Sequence, residues 1–312
     1  MSILLIGDFS AHEYATWRTE LASNLPRGER LVLACEDFDP VAVEVAVVAN
    51  PPPRSLTRFP NLRFIQSLWA GVDRLLSDGS VSPEIMLARL VDPAMGQAMV
   101  ECAIAHVFYL HRQMPQYLRQ QAERTWRQLP QPMAAGRSIG VLGLGHLGSA
   151  VARALAGLGF RLLGWSLTQR DVNEIEAYFA AEGLREMLAR SEYLINLLPL
   201  TPQTRGILNA SLFAQLPMGA AIVNLGRGAH MVDEDLLAAL DSGRIRHAVL
   251  DVFNEEPLPP EHPFWSHPRI TVLPHVAADT DPHTAARIAC DNIAAFRAGR
   301  PVSGLVSRSR GY

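Results

Sequence analysis

The feature that most constrains this chain is a glycine pattern. Gly143-Leu144-Gly145-His146-Leu147-Gly148 fits GxGxxG and lies between an apolar run at 139–142 and a helical stretch at 147–158. The first glycine permits a tight strand-to-helix turn, the second lets backbone approach a pyrophosphate, and the third packs helix on strand. The helix N-terminus then offers unpaired N–H groups to phosphate. The flanking strand and helix raise the motif above chance. A purely structural glycine turn that binds no nucleotide is the alternative.

The surrounding pattern agrees with a parallel sheet. Strands are predicted at 139–142, 161–165, 193–197, 220–224, 247–250 and 270–272. Helices are predicted at 147–158, 184–190, 233–241 (closed by Gly243) and 283–298 (ended by Gly299). Such alternation argues a sheet covered on both faces. The N-terminal part repeats the pattern, with strands at 3–6, 31–34, 43–48 and 63–67 and loops at Pro51-Pro52-Pro53 and Pro60-Asn61. Residues 96–121, with Met99, Ala103, Val107 and Leu110 on one face, suit a long helix kinked or restarted at Pro115. Leu129-Pro130-Gln131-Pro132 reads as a linker. A length of 312 residues favours two domains.

Composition removes several function classes. All 28 basic side chains are arginine, so lysine Schiff bases, a pyridoxal-phosphate lysine and a Walker-A loop are excluded. Any side-chain cation for an anion must be arginine or histidine. The net charge of −3 gives no reason to expect nucleic acid or an anionic membrane as partner. No apolar run is long enough to span a bilayer. The start, Met1-Ser2-Ile3-Leu4-Leu5-Ile6-Gly7-Asp8, lacks a basic n-region and reads as a first strand rather than a signal peptide. Cys35, Cys102 and Cys290 lie far apart and suit a reducing compartment, so a cytoplasmic location is expected. The spacing of His262, His267 and His275 fits no common zinc pattern, and no metal is expected. His106 and His111 read as packing or surface residues on the long helix.

The end of the second strand bears on the choice of nucleotide. An acid about 20 residues past the glycine turn would bind the ribose hydroxyls. Here the strand ends Gly164-Trp165-Ser166-Leu167-Thr168-Gln169-Arg170; Ser166 stands where the acid belongs, and Asp171 comes too late. A missing carboxylate removes repulsion of a 2′-phosphate. Ser166, Thr168 and Arg170 offer donors to it, Arg170 with charge. NADP is therefore favoured, with NAD possible; the alternative is that Arg170 points into solvent.

Three further segments place polar residues just past apolar strands, where ligands bind in parallel sheets. They are Val223-Asn224-Leu225-Gly226-Arg227-Gly228, Leu250-Asp251-Val252-Phe253-Asn254-Glu255-Glu256-Pro257 and Val272-Leu273-Pro274-His275-Val276-Ala277-Ala278. At these residues the chain resembles the D-isomer-specific 2-hydroxyacid dehydrogenase family. GxGxxG, Arg-Gly, D-V-F-x-x-E-P and Pro-His occur in the family's order. Ser67-Leu68-Trp69-Ala70-Gly71-Val72-Asp73, Asp92-Pro93-Ala94-Met95-Gly96, Asn196-Leu197-Leu198-Pro199, His275-Val276-Ala277-Ala278 and Arg310-Gly311-Tyr312 resemble its glyoxylate/hydroxypyruvate reductase A branch. The resemblance runs over essentially the whole chain.

The resemblance implies a site, and elementary chemistry supports it. Reducing a 2-keto acid needs a cation for the carboxylate, an acid for the new hydroxyl and a hydride donor. Arg227 is the cation candidate, with a planar fork suited to carboxylate and keto oxygens. His275 is the candidate general acid, and Glu256 would stabilise its imidazolium and raise its pKa. Trp69, Ala70, Gly71 and Val72 are implied at the substrate, Gly71 and Val72 through backbone N–H groups. Asp251 is implied at the nicotinamide amide and Thr204 at the phosphates or ribose. The remaining cofactor-binding positions implied are Gly143, Leu144, Gly145, His146, Leu147, Gly148, Trp165, Leu198, Pro199, Leu225, Gly226, His275 and Ala277.

Some residues depart from the related branch. Leu167 and Gln169 stand where it often has arginines, which weakens the NADP preference. Trp69 replaces a frequent glycine and either narrows the pocket or packs under the loop. Trp126 lies on the segment that helps build the family's dimer arm. The expected fold is α/β: two Rossmann-like parallel-sheet domains, one flavodoxin-like and one NAD(P)-binding, with a cleft between them. Residues 1–98 plus 280–312 form the substrate-binding domain and 99–279 the dinucleotide domain. A homodimer reducing glyoxylate or hydroxypyruvate with NADPH is the leading expectation. A dinucleotide-sensing scaffold with little turnover, or a dehydrogenase for a larger 2-keto acid, is the alternative.

Overall fold

The computed structural model describes residues 2–170 and 172–311; Met1, Asp171 and Tyr312, named above, lie outside the described residues. The elements run β1 (Ser2–Gly7), α1 (Ala11–Asn24), β2 (Arg30–Leu33), β3 (Val43–Ala49), β4 (Phe64–Ser67), α2 (Asp73–Ser77), β5 (Met86–Ala88), α3 (Pro93–His111) and α4 (Met114–Ala122). They continue as β6 (Ser138–Leu142), α5 (His146–Gly157), β7 (Arg161–Ser166), β8 (Glu176–Phe179), α6 (Ala180–Leu188), β9 (Tyr193–Asn196) and α7 (Ala210–Gln215). The last are β10 (Ala220–Asn224), α8 (Asp233–Asp241), β11 (Ile245–Leu250), β12 (Ile270–Val272) and α9 (Pro282–Arg297). Two compact units result: residues to Met95 together with those from Thr280 on, and Gly96–Asp279.

The first unit has one parallel sheet in the order β2-β1-β3-β4-β5, the flavodoxin-like arrangement. β1 and β3 are buried almost throughout, as strands covered on both faces must be. Specific contacts bring α9 back to this sheet from the far end of the sequence. Phe296 stacks on Phe64 with centroids 4.9 Å apart, and buried Asn292 Nδ2 donates to Gln66 Oε1 at 2.8 Å. An unpaired amide there would be costly, so the pair specifies where α9 docks.

The second unit has a parallel sheet in the order β12-β11-β10-β9-β6-β7-β8. The chain moves outward from β6 in one direction, then restarts beside it at β9 in the other. This reversal is the switch point at which α/β sheets bind ligands. Alternate strand residues supply two cores. Ile139, Val141, Ile195, Val223 and Val249 pack with Val107 of α3 and Val151 and Leu155 of α5. Leu142, Leu194, Ile222, Ala248 and Leu250 pack with Met187, Phe213, Leu236 and Leu240.

Every strand expected from the sequence is present, with ends moved by a residue or two. Two strands lie outside the expected set, β5 because its apolar run is so short and β8 because it has no apolar run. β5 has three residues, and β8 is an exposed edge strand held by charge: Glu176 pairs with Arg161 and Arg190. The long helix is restarted rather than kinked. α3 stops at His111, Gln113 takes a left-handed φ of 59°, and Pro115 enters the first turn of α4, where its missing N–H costs nothing. The helix expected at 184–190 spans Ala180–Leu188, with Arg190 in the turn beyond it.

The glycine turn joins β6 to α5. Gly143 takes a φ of +99° and donates its N–H to the Trp165 carbonyl at 2.8 Å. A Cβ on Gly148 would lie 1.8 Å from the Gly143 carbonyl oxygen, so α5 rests directly on the turn. Among the described residues, a Cβ on Gly145 would meet nothing within 4 Å beyond its chain neighbours and its own helix backbone. Gly148→Ala should therefore cost at least about 1–3 kcal/mol in stability. Gly145→Ala should leave the melting temperature near that of the parent. Equal melting temperatures for the two variants would refute this assignment.

Candidate active site

The glycine turn fits a dinucleotide on its own geometry. Gly145 is the N-cap of α5 and makes no side-chain cap, and no acid occupies the helix's first turn. The N–H groups there suit an anion. Since nothing among the described residues crowds a Cβ at Gly145, its glycine matches close approach by a phosphate rather than internal packing. Gly145 and His146 are exposed and Leu147 half-buried, whereas the Leu144 side chain is sunk in the core, leaving only its backbone for a ligand. Trp165 is buried and its indole N–H donates to the Ala180 carbonyl at 2.8 Å. Buried Ser166 donates to the Thr168 carbonyl at 2.8 Å; Thr168 and Arg170 are exposed.

Leu198 and Pro199 follow β9, at the switch point. Thr204 stays inside that loop: its hydroxyl donates to the Pro199 carbonyl at 2.7 Å and accepts the Thr201 N–H at 2.9 Å. Its single proton is thus directed at the protein. Leu225 and Ala277 are buried in the core behind the strand ends.

The acid–base candidates come together at the ends of β10, β11 and β12. His275 Nδ1 lies 2.8 Å from Glu256 Oε2, and Glu256 Oε1 accepts the Phe253 N–H at 2.8 Å. The Glu256 hydrogen bond raises the His275 pKa, against the opposing effect of burial and the Arg227 charge. Burial pushes the Glu256 carboxyl up, but hydrogen bonds from His275 and the Phe253 N–H bring it below its usual value. The Arg227 charge acts on both groups, which places the three in one electrostatic neighbourhood. Arg227 is half-buried, and its Nη1 donates to the Gly226 carbonyl at 2.8 Å. Why glycine follows it is clear from packing. A Cβ on Gly228 would fall 1.8 Å from the Phe253 carbonyl carbon, so the arginine turn lies directly against the Glu256 segment.

Asp251 holds the histidine loop. It is 1% exposed, with Oδ1 accepting the Val276 N–H at 2.8 Å and Oδ2 the Ala277 N–H at 3.0 Å. Burial raises its pKa, and these two backbone bonds counter the rise. The carboxylate expected at a nicotinamide amide is thus bonded through both oxygens to the chain beside His275. His275 itself takes a φ of +55°, a conformation that costs an L-residue about 1–2 kcal/mol.

Sequence reasoning missed a buried polar cluster beside Arg227. Asn196 and Asn224 close β9 and β10 and stand opposite each other in register. Asn196 Oδ1 accepts the Leu198 N–H at 3.3 Å; its Nδ2 donates to Asn224 Oδ1 and to His230 Nδ1, each at 2.9 Å. Asn224 Nδ2 donates to the Arg227 carbonyl at 3.2 Å, and the Arg227 N–H reaches His230 Nδ1 at 3.1 Å. The available signal was an asparagine ending each of two wholly apolar runs, with a histidine three residues past Arg227.

In the first unit, Trp69 packs edge-on against Trp17 and Phe9, with centroids 6.2 and 6.4 Å away. Its N–H donates to Ser67 Oγ at 3.0 Å, and its carbonyl accepts the Leu90 N–H at 3.0 Å. Packing under the loop is therefore a role its contacts display. Ala70 and Gly71 are half-buried, and Val72 is buried as the N-cap of α2.

A model of the D-isomer specific 2-hydroxyacid dehydrogenase NAD-binding domain matches residues 104–277. A D-isomer specific 2-hydroxyacid dehydrogenase from Xanthobacter autotrophicus Py2, solved with NADPH and MES, is 38% identical with a TM-score of 0.94, over 100% of this chain and 99% of that one. An NADPH-dependent glyoxylate/hydroxypyruvate reductase from Sinorhizobium meliloti, solved with NADP and sulfate, is 36% identical with a TM-score of 0.93, again over 100% and 99%. A probable 2-hydroxyacid dehydrogenase from Rhizobium etli CFN 42, solved with NADP, HEPES and L(+)-tartaric acid, is 29% identical with a TM-score of 0.91 over the same shares. The chain belongs to the D-isomer specific 2-hydroxyacid dehydrogenase family, whose members are NAD(P)-dependent oxidoreductases.

The His275–Glu256 pair makes a pH prediction. The raised histidine pKa adds stability that is full below the ordinary value of 6.5 and lost as pH rises through the folded value. The lowered Glu256 pKa adds stability that is full above 4.5 and lost as pH falls through its folded value. The pair's contribution is complete between those two ordinary values. NMR titration should find His275 above 6.5 in the parent and lower in Glu256→Gln; an unmoved histidine would sink the pairing.

Proposed function

We propose that this enzyme reduces a small 2-keto acid, glyoxylate or hydroxypyruvate, to the 2-hydroxy acid, with NADPH preferred and NADH also used. One observation carries the reading: the His275 Nδ1–Glu256 Oε2 pair at 2.8 Å, within the field of Arg227, at the strand ends of a dinucleotide-binding unit. Similarity to the Sinorhizobium meliloti reductase supports the substrate class. The NADP and NADPH complexes of the relatives, the absence of an acid at Ser166 and the exposed Arg170 support the phosphorylated cofactor.

In this reading Arg227 holds the substrate carboxylate and keto oxygen, a charged hydrogen bond worth about 1.5–3 kcal/mol. The glycine turn, Ser166, Thr168, Arg170 and the Leu198–Pro199 backbone hold the cofactor. NADPH, when bound, supplies the hydride that reduces the keto carbon. Because Glu256 occupies Nδ1, the Nε2 proton of His275 is the one delivered to the keto oxygen. Glu256 stabilises the imidazolium beforehand, and His275 is left neutral afterwards. Reduction therefore weakens as pH rises through the His275 pKa.

The protein acts as a cytoplasmic homodimer in the same proposal. Its three cysteines are unpaired, and two large apolar side chains stand in solvent near the α4 segment, Trp126 at 98% and Met133 at 80% exposure. Sedimentation at micromolar concentration tests the dimer, and Trp126→Ala should weaken it.

The primary test follows NADPH and NADH oxidation with glyoxylate, hydroxypyruvate, pyruvate and phenylpyruvate. Rapid turnover of a small keto acid is expected. Tight cofactor binding without turnover would favour a sensing scaffold instead, and turnover of phenylpyruvate alone a larger substrate. His275→Ala should lose about 10²–10⁴ in rate. Arg227→Gln should raise keto-acid KM and depress kcat. Glu256→Gln should move the alkaline limb of the pH profile to lower pH; normal kinetics in Arg227→Gln would end the assignment.

A further inference from the structure

His230 is wholly buried at 0% exposure and sits between two loops of the second unit. On one side the Asn196 Nδ2 and Arg227 N–H groups converge on its Nδ1, at 2.9 and 3.1 Å. The Asn196 amide orientation is fixed independently, because its Oδ1 takes the Leu198 N–H. Two N–H donors aimed at Nδ1 exclude a proton there. On the other side Nε2 lies 3.2 Å from the Pro199 carbonyl, which can only accept. The ring is therefore neutral with its proton on Nε2. The Arg227 peptide is gripped at both ends by buried side chains, its N–H by His230 and its carbonyl by Asn224 Nδ2. Pro199, the far anchor of the ring, is also bonded by Thr204 and belongs to the loop after β9.

We propose that His230 is a positioning residue for Arg227, a neutral ring that sets the arginine turn against the Pro199 loop. The inference rests on the reading of Arg227 as the substrate cation. A buried hydrogen-bonded ring supports that position without a charge that would compete with the guanidinium for an anionic substrate. Aliphatic packing would take the His230 partner from the Arg227 N–H and from one of the two Asn196 amide protons, the other staying on Asn224, and such groups relax by moving the backbone.

Three substitutions separate positioning from bulk structure. Asparagine keeps an acceptor where Nδ1 stands, glutamine places its amide nearer the Nε2 side, and leucine supplies neither. His230→Leu and His230→Gln should raise keto-acid KM about tenfold, and His230→Asn should recover most of that loss. NADPH affinity, read by fluorescence, should change less than keto-acid KM in His230→Gln. Keto-acid KM unchanged in His230→Leu overturns the inference, as does a uniform fall in kcat and melting temperature across all three. Ring ¹⁵N shifts at neutral pH give a second readout: Nε2 should carry the proton and Nδ1 none. A ring protonated on Nδ1 overturns the inference whatever the kinetics. Arg227→Gln run in parallel distinguishes the failures. A parent enzyme inactive on every keto acid removes the reading of the site and this inference with it. Loss in Arg227→Gln with no effect of the His230 set removes this inference alone.

Discussion

A buried carboxylate ties the second unit's strand ends together. Asp251 leaves β11 inside the protein and spends both oxygens on the Val276 and Ala277 N–H groups, just past His275. Burying a charge costs several kcal/mol unless hydrogen bonds replace the lost water. Two short backbone bonds do so here, and they fix the loop that carries a left-handed histidine. Glu256, five residues beyond Asp251, then meets His275 at 2.8 Å. The segment after β11 thus supplies both the anchor of the histidine loop and the partner of the histidine. Gly228 brings the arginine turn against the same segment.

The other strand ends follow a similar rule. Asn196 and Asn224 are fully buried, yet each of their amide groups has a partner. Polar groups in an apolar core demand such satisfaction, and once satisfied they specify one arrangement. The result is a sheet whose middle is apolar and whose C-terminal rim is polar. The candidate catalytic residues stand on that rim, in loops tied down by buried side-chain bonds.

Much of the architecture was legible from local pattern. Apolar runs located the strands of both sheets, and Gly243 and Gly299 marked helix ends where positive φ is needed. β8 was hidden because its Glu-Ala-Tyr-Phe sequence is stabilised by arginines from elsewhere, not by an apolar pattern. The break between α3 and α4 was half legible: Pro115 marked the place, but the left-handed Gln113 decided that the helix restarts. At the site, the types Arg227, Glu256 and His275 were readable from their motifs. The Asp251 bonds to the histidine loop were not, since a carboxylate's partner depends on which backbone N–H groups are brought within 3.0 Å of it.

By itself the sequence determined the parallel α/β class, the nucleotide turn and the identity of the polar side chains at the strand ends. Those follow from periodicity and from glycine's missing Cβ, which are properties of neighbours along the chain. Only the tertiary structure decided that Asn196, Asn224 and His230 form one buried network around Arg227, and that Trp69 packs on Trp17 and Phe9. The Asn196 bonds and the Trp69 contacts join residues far apart in sequence. They are selected by the need to pair every buried polar group and fill every apolar gap at once, a condition that exists only after the sheets have formed.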